Sequence, residues 1–108
     1  MRVQPVAYRY AKSLMALALE QGQLEQVRTD VRTLNEVCEG SDELRAILRS
    51  PVLRADQKQR VLDRVFEGRL TKLTHTFITV LTRKGREALL PEIAEAFEGL
   101  YREHKGIV

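Results

Sequence analysis

The stretch that decides the fold is VAYRYAKSLMALAL, residues 6–19, in which apolar residues recur at helical spacing. At about 100° per residue, its apolar side chains cover an arc of about 220°. A helix with one core-facing stripe needs an arc of only a little over about 100°. Either this helix is surrounded on most sides by its own domain, or one edge of the arc faces another molecule. The sequence leaves both explanations open.

The second explanation gives different parts of the arc different neighbours. The buried side would consist of alanines and one leucine, which allow close helix approach: Ala7, Ala11, Leu14 and Ala18. The outer edge would stay partly exposed and form one wall of a groove for an amphipathic partner helix: Val6, Tyr10, Ser13 and Leu17. A tyrosine suits such an edge, because its ring is apolar while its hydroxyl stays hydrated. Tyr8, on the far side of the arc, is expected to pack against the domain's own helices.

The rest of the chain also has helical spacing of apolar residues, and no window alternates long enough for a strand. The six predicted helices cover residues 5–21, 23–39, 41–50, 55–67, 70–84 and 87–105. We therefore predict an all-α fold, a compact bundle of six helices, two of them short. Connections of about two to five residues predict that sequential helices pack as near neighbours, largely antiparallel.

The faces of two further helices can be assigned from their spacing. The second helix has a core stripe, and its other face, with Glu25, Arg28 and Asp30, is predicted to be solvated. The fifth helix is predicted to bury an apolar stripe: Leu70, Leu73, Phe77 and Leu81. The semi-polar side next to that stripe is a candidate second wall of the groove: Thr76, Thr79, Val80 and Arg83.

The chain is mildly basic, with a net charge of +3 and a pI of about 9.3. A helical module that binds nucleic acid through Arg83, Lys84 and Arg86 is therefore the alternative interpretation. Basic residues alternate with acidic ones along the chain, however, and no basic block occurs, which argues against a nucleic-acid partner. No run of about 18 apolar residues is present, so direct membrane insertion is not expected.

Residues that could carry chemistry are few. His75 and His104 fall on different predicted helices, and neither has a second metal ligand four residues away. No glycine-rich phosphate loop occurs. Cys38 is the single cysteine, and its core spacing predicts a buried thiol. We expect no catalytic residue, no metal site and no cofactor.

Three stretches resemble a known family in their order and spacing. Tyr10-Ala11-Lys12 in AYRYAKSLMALAL resembles the start of the delta subunit of bacterial F-type ATP synthases, whose family includes the mitochondrial oligomycin-sensitivity-conferral protein. LRSPVLRADQKQRVLDRVF is similar to the family's segment with proline, six residues, lysine and then apolar residues. TFITVLTRKGREALLPEIAEAFEGLYREHKG resembles the family's apolar helix, Gly-Arg, Leu-Pro pair and Phe-x-x-Leu helix. The resemblance covers almost all of the chain.

This resemblance implies a role and partners. The family's N-terminal domain is a six-helix bundle on top of the catalytic head, where it binds the N-terminal helix of the alpha subunit. A second domain contacts the peripheral stalk of b subunits. The chain would thus be a non-catalytic stator component of a proton-translocating ATP synthase, peripheral to the cytoplasmic face of the bacterial inner membrane. Residues 1–105 would form the N-terminal domain, and residues 106–108 would begin a linker to a second domain that is absent here.

The resemblance also implies a partner surface between the first and fifth helices. The family's positions match Tyr10, Ser13, Val80 and Arg86 of this sequence. Together with the helical plot, they give the predicted partner-binding set: Val6, Tyr10, Ser13, Leu17, Thr76, Val80, Arg83 and Arg86.

Overall fold

The chain folds as a helical bundle in a computed structural model that describes residues 4–106. Within that range it forms six α-helices, one 3₁₀-helix and no strand, which confirms the predicted all-α fold. The α-helices are α1 (Pro5–Glu20), α2 (Leu24–Glu39), α3 (Asp42–Arg49), α4 (Ala55–Val65), α5 (Lys72–Arg83) and α6 (Leu90–Lys105), and the 3₁₀-helix spans Glu87–Leu89. The predicted linker falls mainly on residues 107 and 108, which lie outside the described residues.

Local sequence signals set the helix ends. The Gln4 side chain caps α1, because its Oε1 accepts a hydrogen bond from the Ala7 N–H at 2.8 Å. Ser41 caps α3 in the same way, accepting from the Leu44 N–H at 3.0 Å. Gly106 ends α6 with a φ of 71°, a left-handed conformation that glycine adopts without strain. These signals explain why the predicted helices agree with the observed ones to within a few residues.

Helix α6 is the centre of the packing, with α1 and α2 as its most extensive partners. Its buried side chains cover a wide arc: Leu90, Ile93, Ala94, Ala96, Phe97 and Tyr101. A helix with so wide an apolar arc contacts two other helices at once. We expected sequential helices to be the main neighbours. That prediction is wrong for α6, which packs mainly against helices distant from it in sequence.

Helix α1 buries one face against the domain, and the two edges that flank this buried face are open. The buried side matches the prediction and adds a methionine: Ala7, Ala11, Leu14, Met15 and Ala18. The prediction that Tyr8 packs inside the domain is wrong, because its side chain is 39% exposed. The Lys12 ammonium lies 5.5 Å from the centroid of its ring. The buried sector of α1 ends near Met15, and Tyr8 lies beyond it at about 20° further round the helix.

The buried face of α5 differs from the predicted one. Its fully buried residues include two threonines: Thr74, Ile78, Leu81 and Thr82. Leu70, Leu73 and Phe77 were predicted to be core but are only half-buried. The core face is therefore rotated by roughly 90° from the predicted stripe. Thr82 can lie in the core because its hydroxyl donates a hydrogen bond to the Ile78 carbonyl at 2.8 Å.

Asp30 of α2 is buried, which contradicts the prediction that it belongs to a solvated face. Its Oδ2 accepts hydrogen bonds from the backbone N–H of Thr71 at 3.1 Å and from the Thr71 hydroxyl at 2.7 Å. Thr71 is the residue that precedes α5. A buried carboxylate is stable when it accepts such bonds. Asp30 therefore fixes the start of α5 against α2.

Candidate docking groove between α1 and α5

A groove runs along the surface between α1 and α5. Its main part has a volume of about 660 Å³. One wall comes from α1 and the turn that follows it: Tyr10, Ser13, Leu17, Gln21 and Gln23. The other wall comes from α5: Lys72, Leu73, Thr76, Phe77 and Val80. Because most of this lining is apolar or uncharged, the groove suits the apolar side chains of another molecule.

The two walls of the groove run antiparallel. Gln21, which ends α1, lines the same end of the groove as Lys72, which begins α5. In the middle, the rings of Tyr10 and Phe77 meet edge to face, with their centroids 6.4 Å apart. Tyr10 is half-buried and packs against the core. This ring pair therefore joins the two walls and gives the groove an aromatic floor.

A smaller pocket of about 250 Å³ continues the groove towards the start of α1. Residues of α1 and one arginine line it: Val6, Arg9, Tyr10, Ser13 and Arg86. Tyr10 and Ser13 line both pockets, so the two form one continuous surface feature. We call this combined feature the α1/α5 groove.

Seven of the eight predicted partner-binding residues line the α1/α5 groove: Val6, Tyr10, Ser13, Leu17, Thr76, Val80 and Arg86. Arg83 is exposed in the last turn of α5 but does not line the groove. Leu17 and Val80 remain 38% and 42% exposed. The explanation in which α1 is covered on most sides by its own domain is therefore wrong for this edge. The role of these residues in binding stays a prediction.

Sequence reasoning missed the inner part of the α5 wall. Leu73 and Phe77 were assigned to the core, but they line the groove. The signal that could have revealed them is the pair Thr74 and Thr82, which flanks Ile78 at a spacing of four. A helical threonine can satisfy its hydroxyl by bonding to a carbonyl one turn earlier, so it tolerates burial. A helical plot centred on Ile78 turns Leu73 and Phe77 towards the groove.

The α1/α5 groove has cations at both ends. Arg9 and Arg86 line the end near the start of α1, and Lys72 lines the opposite end. All three residues are exposed. Within the described part of the chain, no carboxylate oxygen lies within 4.0 Å of their side-chain nitrogens. Among the described residues that line either pocket, none is an aspartate or a glutamate.

A second groove, on the opposite edge of α1, has the opposite charge. Its volume is about 650 Å³, and it lies among Tyr8, the end of α2 and the outer side of α6. Four carboxylates line it: Glu39, Glu95, Glu98 and Glu103. The same lining includes Arg102, and Glu98 also interacts with Arg28 and Arg32 at 3.6 Å. We call this second feature the acidic groove.

Groups that could carry covalent chemistry lie away from the α1/α5 groove. Burial raises the pKa of the Cys38 thiol to about 11, which disfavours the reactive thiolate. His75 Nε2 lies 2.9 Å from Asp63 Oδ1 on an exposed surface between α4 and α5. Among residues 4–106, no His, Cys, Asp and Glu side chains are grouped so that they could hold a metal ion. The same range contains no helix long and apolar enough to cross a bilayer.

Comparison with solved structures finds the same fold in another protein chain. A chain in a cryo-EM structure of the Polytomella F-ATP synthase, focused on the F1 head and rotor, superimposes with a TM-score of 0.81. The superposition covers 97% of this chain and 93% of that chain, at 20% sequence identity. At this identity, the likeness shows a shared fold.

Comparison of sequences gives the family. The profile described as "ATP synthase delta (OSCP) subunit" matches residues 6–108. The protein named ATP synthase subunit delta of Cytophaga hutchinsonii is 38% identical over 107 residues, which is 99% of this chain and 59% of the relative. Its namesake in Chlorobium phaeobacteroides is 40% identical over 100 residues, covering 93% of this chain and 56% of the relative. The chain thus spans little more than half the length of these relatives, and it belongs to the ATP synthase delta (OSCP) subunit family.

Proposed function

We propose that this chain acts as a non-catalytic stator component of a proton-translocating F-type ATP synthase. In this proposal, its six helices form the N-terminal domain of a delta subunit, and its α1/α5 groove binds the N-terminal helix of the alpha subunit. The domain thereby links the catalytic head to the peripheral stalk. It would do so at the periphery of the complex, on the cytoplasmic face of the bacterial inner membrane.

The observation that carries the proposal is the uncovered apolar strip along the α1/α5 groove. Leu17 of the α1 wall and Val80 of the α5 wall both line it, and they are 38% and 42% exposed. Between them lie the half-buried rings of Tyr10 and Phe77. Contiguous exposed apolar surface on a small domain marks a site of interaction. Laying the apolar face of an amphipathic helix into such a groove is a recurring mode of protein recognition.

The dimensions of the groove fit a helix of moderate length. The α5 wall has 12 residues, which corresponds to a length of about 18 Å. A partner helix of about three turns would place apolar side chains at spacings of three and four along this length. The large apolar contact would favour slow dissociation, which a joint that resists rotary torque requires.

Contact with the b-subunit stalk would belong to the portion of the relatives that this chain does not match. The chain covers 59% and 56% of the two delta subunits compared above. In the proposed arrangement, the described domain holds the head and the remaining portion holds the stalk. The α1/α5 groove is therefore the surface at which the proposal can be tested on this chain alone.

The test is calorimetric titration of the domain with a synthetic peptide of the alpha-subunit N-terminal segment. Tyr10→Asp and Val80→Asp place a charge in the apolar strip, so each should weaken binding at least about tenfold while the circular dichroism spectrum stays unchanged. Leu19→Asp is the matched control, because Leu19 is 44% exposed on the other edge of α1. Wild-type affinity in both groove variants would overturn the groove assignment.

The same titration with duplex DNA tests the alternative of a nucleic-acid-binding module. That alternative would use the exposed side chains of Arg83, Lys84 and Arg86 at the end of α5. Its signature is an affinity for DNA that falls steeply as salt rises. DNA binding of this kind, together with no binding of the alpha peptide, would replace the stator proposal.

A further inference from the structure

We propose that the α1/α5 groove selects an acidic partner helix, with carboxylates that meet Arg9 and Arg86 at one end and Lys72 at the other. This inference rests on the proposed function, because it requires a helix to occupy the groove. It adds the charge of that helix and the placement of its charged groups. The strongest contact is assigned to the end with two arginines.

The first support is the availability of the cations. Arg9, Lys72 and Arg86 are exposed and line the groove. Within residues 4–106, none of the three is engaged in an ion pair. Other cations of the described range also form no ion pair, so what distinguishes these three is their position in the lining of the groove. The cations at the groove ends are therefore available to an incoming carboxylate.

The second support is the composition of the two walls. Helix α5 has the sequence KLTHTFITVLTR and contains no acidic residue. Helix α1 has the sequence PVAYRYAKSLMALALE, in which Glu20 is the single acidic residue. Glu20 does not line the groove. A partner helix therefore meets apolar and neutral groups along the walls and positive charge at the ends.

The backbone of the wall helices does not cancel this preference. A helix carries partial positive charge at its N-terminus and partial negative charge at its C-terminus. The walls are antiparallel, so each end of the groove combines the N-terminus of one helix with the C-terminus of the other. These partial charges oppose each other at both ends. The field that a bound helix experiences is therefore set by Arg9, Arg86 and Lys72.

The acidic groove on the opposite edge of α1 favours the α1/α5 groove as the binding site of an acidic helix. It also offers a surface to a helix, but four glutamates line it against one arginine, Arg102, so its net charge is negative. An acidic helix is repelled there and attracted to the α1/α5 groove, so the two grooves are not equivalent sites. Complementary charge adds specificity and speeds encounter more than it adds affinity. The effect should therefore weaken as salt screens the charges.

The experiment compares two synthetic amphipathic helices that share one apolar stripe. One peptide carries glutamates at both ends of the stripe, and the other carries lysines. We expect the glutamate peptide to bind the domain at least about tenfold more tightly at low ionic strength, and the difference to shrink in high salt. In the Arg9→Glu/Arg86→Glu variant, the preference should reverse. In the matched control Glu95→Lys/Glu103→Lys, which alters the acidic groove, binding of the glutamate peptide should stay within about twofold of wild type.

The outcomes separate this inference from the proposed function. If Val80→Asp abolishes binding of both peptides but the two peptides bind wild type equally, the groove stands and the charge selection is overturned. The same conclusion follows if Arg9→Glu/Arg86→Glu leaves the preference unchanged. If Val80→Asp has no effect on either peptide, the groove assignment fails and this inference fails with it.

Discussion

The Nζ of Lys58 donates a hydrogen bond to Oε2 of Glu87 at 2.6 Å, and only 6% and 7% of the two side chains are exposed. The ammonium also donates to the Leu48 carbonyl at 2.9 Å. This buried pair joins α4 and the end of α3 to the 3₁₀-helix that precedes α6. Lys58 follows Pro51 after six residues, and Glu87 follows the Gly-Arg pair. Two of the stretches that carried the family resemblance thus meet inside the fold, next to Arg86.

Lys58→Met should destabilise the domain by about 3–5 kcal/mol, because it leaves the Glu87 carboxylate buried without its partner charge. Urea denaturation followed by circular dichroism measures the loss. The double variant Lys58→Met/Glu87→Leu should recover most of it, since well-packed apolar residues replace both charges. If the double variant loses the sum of the two single losses, the pair is not coupled as the geometry implies.

Two nearby residues of α5, one buried and one exposed, should lose very different amounts of stability on truncation. Ile78 is 2% exposed and Val80 is 42% exposed. Ile78→Ala should cost about 2–5 kcal/mol of unfolding free energy by leaving a cavity. Val80→Ala should change it by no more than about 0.5 kcal/mol, because an exposed side chain leaves no cavity. Denaturant titration of both variants measures this. Equal losses would mean that Val80 is buried in solution and that the groove is closed.

The open edge of α1 could be predicted because it follows from local periodicity. The arc of VAYRYAKSLMALAL is wider than one core contact requires, and on the Val6–Leu17 side Leu17 is exposed while Val6 and Tyr10 are half-buried. The same reasoning failed for Tyr8, since the plot gives the width of an apolar arc but not which part of it the neighbours cover. Helix α6, which is far from α1 in the sequence, is the main neighbour that determines which part of the α1 arc is covered.

The remaining errors concern polar residues whose partners are distant in sequence. Asp30 was assigned to solvent, but its partner Thr71 lies 41 residues later. The burial of Lys58 and Glu87 was not predicted either, and these two residues are 29 positions apart. A polar side chain can be buried when a partner satisfies it, and the pattern around it does not reveal that partner. The rotated face of α5 has a different origin: the predicted stripe contained only apolar residues and left out Thr74 and Thr82, although the Thr82 hydroxyl is satisfied by the Ile78 carbonyl one turn earlier.

Asp30→Ala should weaken the start of α5 and, with it, one wall of the groove. The substitution leaves the N–H and hydroxyl of Thr71 without their acceptor, at a cost of about 1–3 kcal/mol. Hydrogen exchange should accelerate in the first turn of α5, near Lys72, more than in α6. Thr71→Val provides the comparison, because it removes the hydroxyl but keeps the backbone bond. Unchanged exchange at α5 in Asp30→Ala would show that the carboxylate does not anchor this helix.

Cys38 should react slowly in the folded protein. Its side chain is 1% exposed, and burial raises the pKa of the thiol from 9.0 to about 11. That shift lowers the thiolate fraction at neutral pH about a hundredfold, and the thiolate is the reactive form. Labelling with a disulfide reagent should therefore be at least about a hundredfold faster in denaturing guanidinium than in buffer. Equal rates would mean that α2 opens readily around Cys38.

The Glu25 carboxylate should titrate below its ordinary value. The hydroxyl of Tyr101 donates to Glu25 Oε1 at 2.8 Å, and the ammonium of Lys105 lies 3.2 Å from Oε2. The hydrogen bond from Tyr101 is the largest cause of the lowered pKa, followed by the bond from Lys105. Because the pKa of Glu25 is lower in the folded than in the unfolded state, the contacts of its carboxylate with Tyr101 and Lys105 stabilise the fold above about pH 4.5. The stabilisation is lost as the pH falls through the folded pKa.

Carbon-detected NMR titration of Glu25 measures this shift and its cause. Its midpoint in the wild-type protein should lie below 4.5, and Tyr101→Phe should raise it towards that value, because the charged form loses a hydrogen bond. Asp56 is an internal reference, since the Arg54 side chain lowers the pKa of Asp56 independently of Tyr101. A shift of Asp56 together with Glu25 would indicate a general structural change. An unchanged Glu25 midpoint in Tyr101→Phe would show that the bond from α6 to the start of α2 does not persist in solution, and α6 would then be held against α2 by its apolar contacts and by the ion pairs that Glu98 forms with Arg28 and Arg32.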